Sequence, residues 1–408
     1  MKMTLTIDRL GHHGDGIANG PDGDIYVPYT LPGEVIEGEC DGNRIAAPKV
    51  VTSSDMRVKA PCPHFKSCGG CAMQHAAPAF LAGWKQEIVQ TALAAHGISA
   101  PFRKIAVSPP ASRRRATLTG RRTKKGAMVG FHARASEALI AIPSCTLLHP
   151  DIVAGIPVLE RLTQLGASRK GEVSLAVTRS DAGLDVAVEG GKDTDGALLA
   201  ELGQICGQTG LARLSWNGEV IAMRSAPVQT FGRTEVIPPP GAFLQATAEG
   251  QLALQAAVSD AIGGARRIAD LFAGCGTFTL PLAETAEVAA FESEPAQLAA
   301  LDQGWRVGHE LRTVTTETRD LFRRPLMPQE LARFDAVVID PPRAGAKDQT
   351  EILAESVVSR IAFVSCNPVT FARDATTLIA GGYLLDWIQV VDQFPWSPHL
   401  ELVALFSR

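Results

Sequence analysis

Residues 267–282 constrain the fold more than any other part of the chain. An apolar run ends at Asp270, a loop with Gly274 and Gly276 follows, and an apolar segment of helical periodicity begins near Thr277. A strand that turns through a glycine loop into a helix is the first unit of a nucleotide-binding α/β domain. The glycines allow the backbone to approach a ligand where a Cβ atom would collide with it. The stretch therefore predicts a Rossmann-like domain with a ligand site at this loop.

The residues around these glycines indicate which nucleotide is expected. Thr279 stands where the dinucleotide fingerprint has its third glycine, so that fingerprint is incomplete. Glu292 closes the next apolar run, at about the spacing where an acid binds ribose hydroxyls. This pattern suits an adenosine without a pyrophosphate, and it favours S-adenosylmethionine (SAM) over NAD. A tight turn in another α/β fold is the alternative.

The chain beyond this loop continues to alternate strands with helices. Apolar runs precede Asp340 and Ser365, and two more cover residues 384–391 and 403–406. Such alternation predicts a doubly wound parallel sheet, whose ligands bind at the carboxyl ends of the strands.

Length and composition limit the class of protein. A chain of 408 residues with 46% hydrophobic content predicts two or three domains with real cores. We see no apolar run near the roughly 18 residues of a membrane span and no signal-like N-terminal pattern, so we expect a cytoplasmic protein without a membrane partner. In such a chain the eight cysteines are expected to be ligands, catalysts and core residues rather than disulfides.

Turn residues and strand patterns divide the chain. Short β-branched runs separated by turns predict a small β-barrel at the N-terminus. The middle predicts a helix over residues 79–95 and then a mostly antiparallel sheet, with hairpins turning at 124–126 and 181–183. Residues 238–241 are the expected hinge into the α/β domain. The predicted domains are residues 1–55, 56–237 and 238–408.

Cys62, Cys68 and Cys71 form a Cys-x5-Cys-x2-Cys array with glycines between the last two. This spacing is typical of a loop that binds a metal or an iron–sulfur cluster through thiolates. Cys145 is the expected fourth ligand, because it lies in the same predicted domain and is flanked by turn residues. Structural zinc on four cysteines is the competing interpretation.

The net charge of −4 hides an uneven distribution of charge. A basic stretch without any Asp or Glu predicts a surface that binds a polyanion. A face solvated for solubility is the alternative. The stretch contains Arg103, Lys104, Arg113, Arg114, Arg115, Arg121, Arg122, Lys124, Lys125 and Arg134.

Three residues at predicted strand ends are candidates for chemistry. Asp340 precedes two prolines, which form a rigid turn that exposes its carboxylate. Cys366 lies in a turn before a helix N-terminus, where the helix dipole favours a thiolate. Glu401 precedes the last strand and is a candidate general base. The alternatives without function are an ordinary turn at Asp340, a buried cysteine at Cys366 and an exposed acid at Glu401.

Taken together, these motifs resemble the RNA uracil-5-methyltransferases, in particular the iron–sulfur-containing ribosomal RNA branch. Residues 1–55 separately resemble the TRAM domain, an OB-like barrel found on RNA-modifying enzymes, although nine acids against four bases argue against a strong phosphate-binding surface there. The motifs occur in family order and span nearly the whole chain: Cys62/Cys68/Cys71 with Gln74-His75, Phe243-Leu-Gln245, Asp270-Leu-Phe272-Ala-Gly274-Cys-Gly276, Asp340-Pro-Pro-Arg343-Ala-Gly345, Ser365-Cys366-Asn367-Pro368 and His399-Leu-Glu401.

The resemblance implies a mechanism and a set of ligands. Cys366 would add to carbon 6 of uracil, carbon 5 would take a methyl group from SAM, and Glu401 would remove the proton from carbon 5. It further implies a [4Fe–4S] cluster on the four cysteines, ribosomal RNA as the substrate, and a monomer. The tRNA branch of the family, or an RNA-binding iron–sulfur protein without catalysis, are the alternatives. The implied SAM contacts are Gln245, Phe272, Thr277, Glu292, Asp320 and Asp340.

Overall fold

The computed structural model describes residues 2–408. The N-terminal part has six strands in two three-stranded sheets, ordered β1-β5-β6 and β2-β3-β4, around a small core that includes Ile7, Val27 and Ile36. All of its strand pairs are antiparallel, as expected for turn-linked neighbours. The strands are β1 (Lys2–Thr6), β2 (Arg9–Leu10), β3 (Gly16–Gly20), β4 (Gly23–Val27), β5 (Val35–Glu39) and β6 (Lys49–Thr52).

The next two elements do not belong to the central sheet. Helix α1 (Pro78–Ala94) confirms the predicted helix, and it is followed by the short strand β7 (Ala106–Val107). Strand β7 adds to the edge of the C-terminal sheet, and Val89 and Leu93 of α1 lie in the core of that sheet. Residues 78–107 therefore pack with the C-terminal sheet, although they precede the predicted hinge at residues 238–241.

The middle of the chain forms a seven-stranded sheet ordered β10-β9-β8-β11-β12-β13-β14, antiparallel except between β12 and β13. Both predicted hairpins are confirmed, since Thr123 pairs with Gly126 and Ser180 with Gly183. Its elements are β8 (Arg115–Thr123), β9 (Gly126–His132), β10 (Leu139–Ala141), α2 (Pro150–Gly166), β11 (Glu172–Ser180), β12 (Gly183–Glu189), α3 (Gly196–Thr209), β13 (Arg213–Trp216) and β14 (Glu219–Met223).

A small hairpin of β15 (Gln229–Phe231) and β16 (Thr234–Val236) precedes the predicted doubly wound domain. The elements of that domain are α4 (Ala248–Ile262), β17 (Arg267–Leu271), α5 (Thr279–Leu282), β18 (Glu287–Glu292), α6 (Pro295–Val307), β19 (Val314–Thr318), α7 (Pro328–Leu331), β20 (Ala336–Ile339), α8 (Lys347–Glu355), β21 (Arg360–Ser365), α9 (Pro368–Ala380), β22 (Leu384–Asp392) and β23 (Glu401–Ser407).

Strand order in this sheet is β19-β18-β17-β20-β21-β23-β22-β7. The sheet is parallel except for β23, which runs antiparallel to both neighbours. The reversal follows from the short connection over residues 393–400, because parallel neighbours need a crossover of a dozen or more residues. The carboxyl ends of β17, β18, β20 and β21 therefore meet the start of β23 at one edge. Within residues 2–408, none of the helices is long and apolar enough to cross a membrane.

A buried ion pair fastens α1 to this sheet. Lys85 is fully buried, and its Nζ donates to Asp392 Oδ1 at 2.5 Å and to the Phe394 carbonyl at 2.9 Å. Burial lowers the pKa of Lys85, while Asp392 counteracts that effect.

Lys85→Met is expected to destabilise the protein by about 3–5 kcal/mol, because it leaves Asp392 buried without its cation. A chemical-denaturation midpoint measures the loss. Adding Asp392→Leu should recover part of it, since no unpaired charge then remains. The exposed Lys347→Met is the matched control, with a change within roughly 0.5 kcal/mol; equal losses in both lysine variants would contradict the assignment.

Candidate active site

A cleft of about 400 Å³ opens at the carboxyl edge of the C-terminal sheet, a volume suited to a nucleotide-sized ligand. Most of the predicted site residues line it together: Gln245, Phe272, Glu292, Asp320, Asp340, Cys366 and Glu401. Thr277 is not among the residues that line the cleft, and its backbone carbonyl accepts from Gln255 Nε2 at 2.8 Å. The cleft therefore brings together seven of the eight predicted catalytic and cofactor residues.

The glycine loop has the backbone that its sequence predicts. Gly274 and Gly276 have φ of 56° and 93°, and a Cβ at Gly276 would lie 2.9 Å from Leu301 Cγ. Phe272 also has a left-handed φ, 64°, which is unusual for a residue with a side chain. Such strain often occurs at ligand sites. The helix after the loop is shorter than the pattern suggested, since α5 covers only Thr279–Leu282.

Backbone amides fix the Glu292 carboxylate at the cleft. Its Oε2 accepts from the Gly274 N–H at 3.0 Å, and its Oε1 accepts from the N–H groups of Ser293 and Glu294 at 2.7 and 3.1 Å. A carboxylate held in this way, beside a glycine loop, suits a pair of ribose hydroxyls.

Cys366 and Glu401 come together because their strands are neighbours. Strand β21 pairs with β23 in antiparallel register, with Ser365 opposite Leu402. One further step along both strands brings Cys366 opposite Glu401. The Glu401 side chain is buried, and both residues line the cleft. The pair can therefore act on the same substrate molecule.

The acidity of Cys366 differs from the expectation. Burial, and then the Glu401 and Asp340 carboxylates, raise the pKa of the thiol to about 12, while Arg343 opposes them. The expectation that the helix N-terminus favours a thiolate is therefore wrong here, because burial and two acids outweigh the dipole. The same crowding affects Glu401, whose pKa is raised well above its ordinary value by burial and by Asp340.

Asp270, near the carboxyl end of β17, and Asp340, which follows β20, also have raised pKa values. Burial raises the pKa of Asp270 to about 7, and Glu292 adds to the shift. Asp270 Oδ2 accepts from Thr279 Oγ1 at 2.5 Å, but Oδ1 has no partner within residues 2–408. Burial likewise raises the pKa of Asp340 to about 7, with Asp270 adding to the shift.

Asp270→Asn is expected to stabilise the protein at pH 8 by no more than about 4 kcal/mol. The folded state binds the Asp270 proton more tightly than the unfolded state does. The contribution of Asp270 to wild-type stability therefore falls as pH rises from about 4 to about 7, and asparagine removes this loss. Melting temperatures between pH 4 and pH 8 test it, with the exposed Asp193→Asn as control. If the difference in melting temperature between the variant and the wild type does not widen as pH rises, the raised pKa of Asp270 is contradicted.

Gln393 is a site residue that sequence reasoning missed. It is fully buried, its Oε1 accepts from the Ala246 N–H at 2.8 Å, and its Nε2 donates to Gln245 Oε1 at 2.5 Å. A hydrogen bond from Gln393 also lowers the pKa of Glu401. Gln393 thus joins a predicted cofactor residue to the predicted base. Its nearness to Glu401 in the sequence was the only available signal.

Fewer side chains of the basic stretch are exposed and unpaired than its sequence suggested. Arg114 is buried, and it donates to the Gln245 carbonyl at 3.2 Å and to Gln251 Oε1 at 2.6 Å, so the expectation of an exposed phosphate contact is wrong for this residue. Arg103 stacks on Trp387. Within residues 2–408, the exposed members without an ion pair are Lys104, Lys124 and Lys125.

The four predicted cysteine ligands line one small cavity, together with apolar side chains such as Phe131 and Ile142. Burial, and then the neighbouring Cys145, Cys68 and Cys62, raise the pKa of Cys71 to about 12. No three His, Cys, Asp or Glu side chains in the described chain are arranged to hold a single metal ion. The cysteines therefore share a cavity without forming a mononuclear site.

Comparison with known proteins identifies the family. A profile of the tRNA (uracil-5-)-methyltransferases matches residues 240–408. An uncharacterized RNA methyltransferase of Brucella suis is 44% identical over 405 residues, which cover 99% of this chain and 97% of that protein. The 23S rRNA (uracil(1939)-C(5))-methyltransferase RlmD of Chromohalobacter salexigens is 33% identical over 430 residues, covering 99% of this chain and 89% of that one.

A solved structure shares the fold over the full length. The tRNA (uracil-54, C5)-methyltransferase of Pyrococcus abyssi, in complex with S-adenosyl-L-homocysteine, aligns with a TM-score of 0.78 over 99% of both chains, at 22% identity. At this identity the likeness supports the fold alone. The two full-length sequence similarities, at 44% and 33% identity, show the family. The chain belongs to the family of SAM-dependent RNA (uracil-5-)-methyltransferases.

Proposed function

We propose that the protein forms 5-methyluridine in 23S ribosomal RNA through a covalent adduct on Cys366. The observation that carries this proposal is the pairing of Cys366 with Glu401 in a cleft that also contains Glu292 and Asp340. The ribosomal substrate is supported by full-length similarity to the 23S rRNA enzyme of Chromohalobacter salexigens.

The roles of the two residues follow from the chemistry of uracil, whose carbon 5 is a poor nucleophile. The Cys366 thiol gives up its proton to solvent, and the resulting thiolate adds to carbon 6, which moves electron density to carbon 5. Carbon 5 then takes the methyl group from SAM, and S-adenosyl-L-homocysteine is released. Carbon 5 now bears both a methyl group and a proton. Glu401 removes that proton, so that the bond from Sγ to carbon 6 can break. The raised pKa of Glu401 makes it a stronger base than an exposed carboxylate once it is ionised.

SAM supplies the methyl group, and the cleft has the groups to hold it. Glu292 faces the glycine loop with its carboxylate fixed by backbone amides, as a ribose partner requires. Phe272 offers an aromatic face, and Asp320 also lines the cleft. The Asp340 carboxylate acts on both Cys366 and Glu401, and Gln245 is held by Gln393. Thr277 stays a predicted contact, one that would need a ligand reaching beyond the lining of the cleft.

The target base must leave its stack to reach Cys366, since that residue lies inside the cleft. Base flipping is least costly in loops, where RNA is already unpaired. We therefore propose a ribosomal RNA loop as substrate, bound by a monomer whose N-terminal strands form a TRAM-type module.

Transfer RNA is the second candidate substrate. It is favoured by the description of the family profile and by the name of the Pyrococcus abyssi enzyme. Mapping of 5-methyluridine in RNA from cells that lack the protein separates the two. We expect loss of the modification in 23S rRNA with tRNA unchanged, and restoration by the wild-type gene but not by Cys366→Ala. Loss in tRNA alone would transfer the proposal to tRNA.

We also propose that Cys62, Cys68, Cys71 and Cys145 bind a [4Fe–4S] cluster. Four thiolates on one tetrahedral zinc lie roughly 3.8 Å apart, because each Zn–S bond is about 2.3 Å long. A cluster binds each thiolate through a different iron and so holds them further apart. The four thiols line one small cavity among apolar side chains, and their number matches the four thiolate ligands of a [4Fe–4S] cluster, which supports the proposal. Its role would be to join the loop at residues 62–71 to Cys145.

Protein purified without oxygen is expected to contain about four irons per chain. Cys145→Ser should lower the iron content and the melting temperature, because it releases the link between the loop and the central sheet. Metal analysis and calorimetry measure both, with Cys206→Ser as a control for loss of a buried thiol outside the array. Stoichiometric zinc without iron would contradict the cluster.

A further inference from the structure

A second groove, distinct from the catalytic cleft, lies between the N-terminal strands and the cysteine loop. Residues 46–50 and 57–60 line it, together with Tyr29, Phe65, Lys66 and His75. Its volume is about 710 Å³, within the range of small-molecule sites. It shares no lining residue with the cleft that contains Cys366.

Three aromatic rings pack together in this groove. The Phe65 ring lies 5.3 Å from Tyr29 in an edge-to-face arrangement and 5.7 Å from His75. The backbone of Tyr29 is strained, with φ of 60°, and it is held by a hydrogen bond of 2.8 Å from Arg57 Nη2 to the Tyr29 carbonyl. A strained residue maintained by its surroundings often marks a binding site. Phe65 is only 5% exposed, whereas Tyr29 is half-buried, with Arg134 over its ring at 5.6 Å. Tyr29 is therefore the ring that can contact an unpaired base, as aromatic side chains do in single-strand binding sites.

His75 has unused hydrogen-bonding capacity. The residue is only 3% exposed, and neither ring nitrogen completes a hydrogen bond within residues 2–408, although the ring lies beside the Thr30 carbonyl. Leaving such a group unpaired costs about 1–3 kcal/mol. Burial lowers the pKa of His75 to about 4, so the ring is neutral near pH 7 and has one donor and one acceptor. A nucleobase edge offers both complements.

The charges of the groove are all positive. Lys49, Lys59 and Lys66 are exposed, and no ion pair to any of them occurs in the described chain. The fourth cation, Arg57, is committed to Glu34, with its Nη2 at 2.7 Å from Glu34 Oε2. None of the described residues that line the groove carries a carboxylate. Three free ammonium groups around aromatic rings match a phosphate–base–phosphate unit, which is the repeat of single-stranded RNA.

We propose that this groove holds one unpaired nucleotide of the substrate RNA, away from the target uridine. The base lies against Tyr29, and the adjacent phosphates lie on Lys49, Lys59 and Lys66. The proposal rests on the proposed function in that RNA is the substrate. Such a contact would let the enzyme hold a loop at two points, one nucleotide in the groove and the target in the cleft.

Binding of a fluorescein-labelled single-stranded RNA of mixed sequence tests the phosphate contacts. The holoprotein variant Lys59→Ala/Lys66→Ala should lower the slope of log K against log salt by about 1.4, since each lost contact to a single strand removes roughly 0.7. The matched control is Arg169→Ala/Lys170→Ala, which removes the same charge from an exposed part of the central domain and should leave the slope nearly unchanged. In methylation assays on 23S rRNA, the groove variant should raise KM and leave kcat unchanged.

Ultraviolet cross-linking tests the base contact. Peptides that contain Tyr29 or residues 57–66 should carry cross-linked RNA, in addition to peptides from the cleft. Equal slopes in the groove and control variants would overturn the proposal, as would a lowered slope without any cross-link at these peptides, which would mean that only phosphates are held. Binding does not depend on turnover. A wild-type protein that binds RNA through the groove but methylates none would instead refute the proposed function.

Discussion

Glu401→Gln enzyme is expected to methylate its RNA once and then stall as a covalent adduct. Addition at carbon 6 and methyl transfer both precede removal of the carbon 5 proton, so neither step needs the base. Elimination does need it, because carbon 5 then carries both the methyl group and the proton. Multiple turnover should fall by about 10²–10⁴-fold, the usual contribution of a positioned base. On a denaturing gel the stalled product should run as protein linked to methylated RNA.

The surroundings of Glu401 indicate that Glu401→Gln should remove the base without unfolding the protein. Glu401 is buried among groups that disfavour its charge, so a neutral isostere should fold at least as well as the acid. Glu355→Gln, at the end of α8 and outside the lining of the cleft, serves as the control and should turn over normally. If Glu401→Gln turns over like the wild type, or forms no adduct while still binding SAM, another residue is the base.

Cys366→Ala should abolish both turnover and the adduct. Loss of a catalytic nucleophile typically lowers kcat by roughly 10⁴–10⁶-fold. Alanine fills less space than cysteine, but Cys366 lies at the cleft rather than in the core, so stability should change little. SAM affinity, measured by calorimetry, should stay close to that of the wild type.

The informative comparison is with a second cysteine. Cys40→Ala removes a thiol from the N-terminal strands and should retain full activity and adduct formation. The double variant Cys366→Ala/Glu401→Gln should form no adduct, because the bond to carbon 6 cannot form. An adduct in that variant would mean that a different nucleophile attacks the base.

The sequence predicted the parts of the site that are local in the chain. The glycine loop and Glu292 are close in sequence, and spacing alone placed them at one ligand site. Cys366 and Glu401 were predicted from their positions at strand ends. Their meeting depends on β23 entering between β21 and β22, which periodicity cannot specify.

The errors arose where distant segments meet. Arg114 was expected on the surface, but the chain after residue 238 folds over it, and its guanidinium bonds to Gln245 and Gln251. The thiol of Cys366 was expected to be acidic. That expectation was wrong because the carboxylates that raise its pKa come from other strands, which the local sequence does not show. Gln393 was missed for the same reason, since its role is visible only beside Gln245. The placement of α1 and β7 on the last sheet likewise depends on contacts made about 300 residues later.

The central claim is that Cys366 attacks carbon 6 and that a proton must then leave carbon 5. Substrate RNA with 5-fluorouridine at the target tests it in the wild-type enzyme, because fluorine leaves Glu401 no proton to remove. Mass spectrometry of the digested complex should find a methylated 5-fluorouridine nucleotide bound to the peptide that contains Cys366, in about one copy per chain. Normal release of methylated RNA without any such adduct, or a nucleotide bound to a different cysteine, would contradict the account.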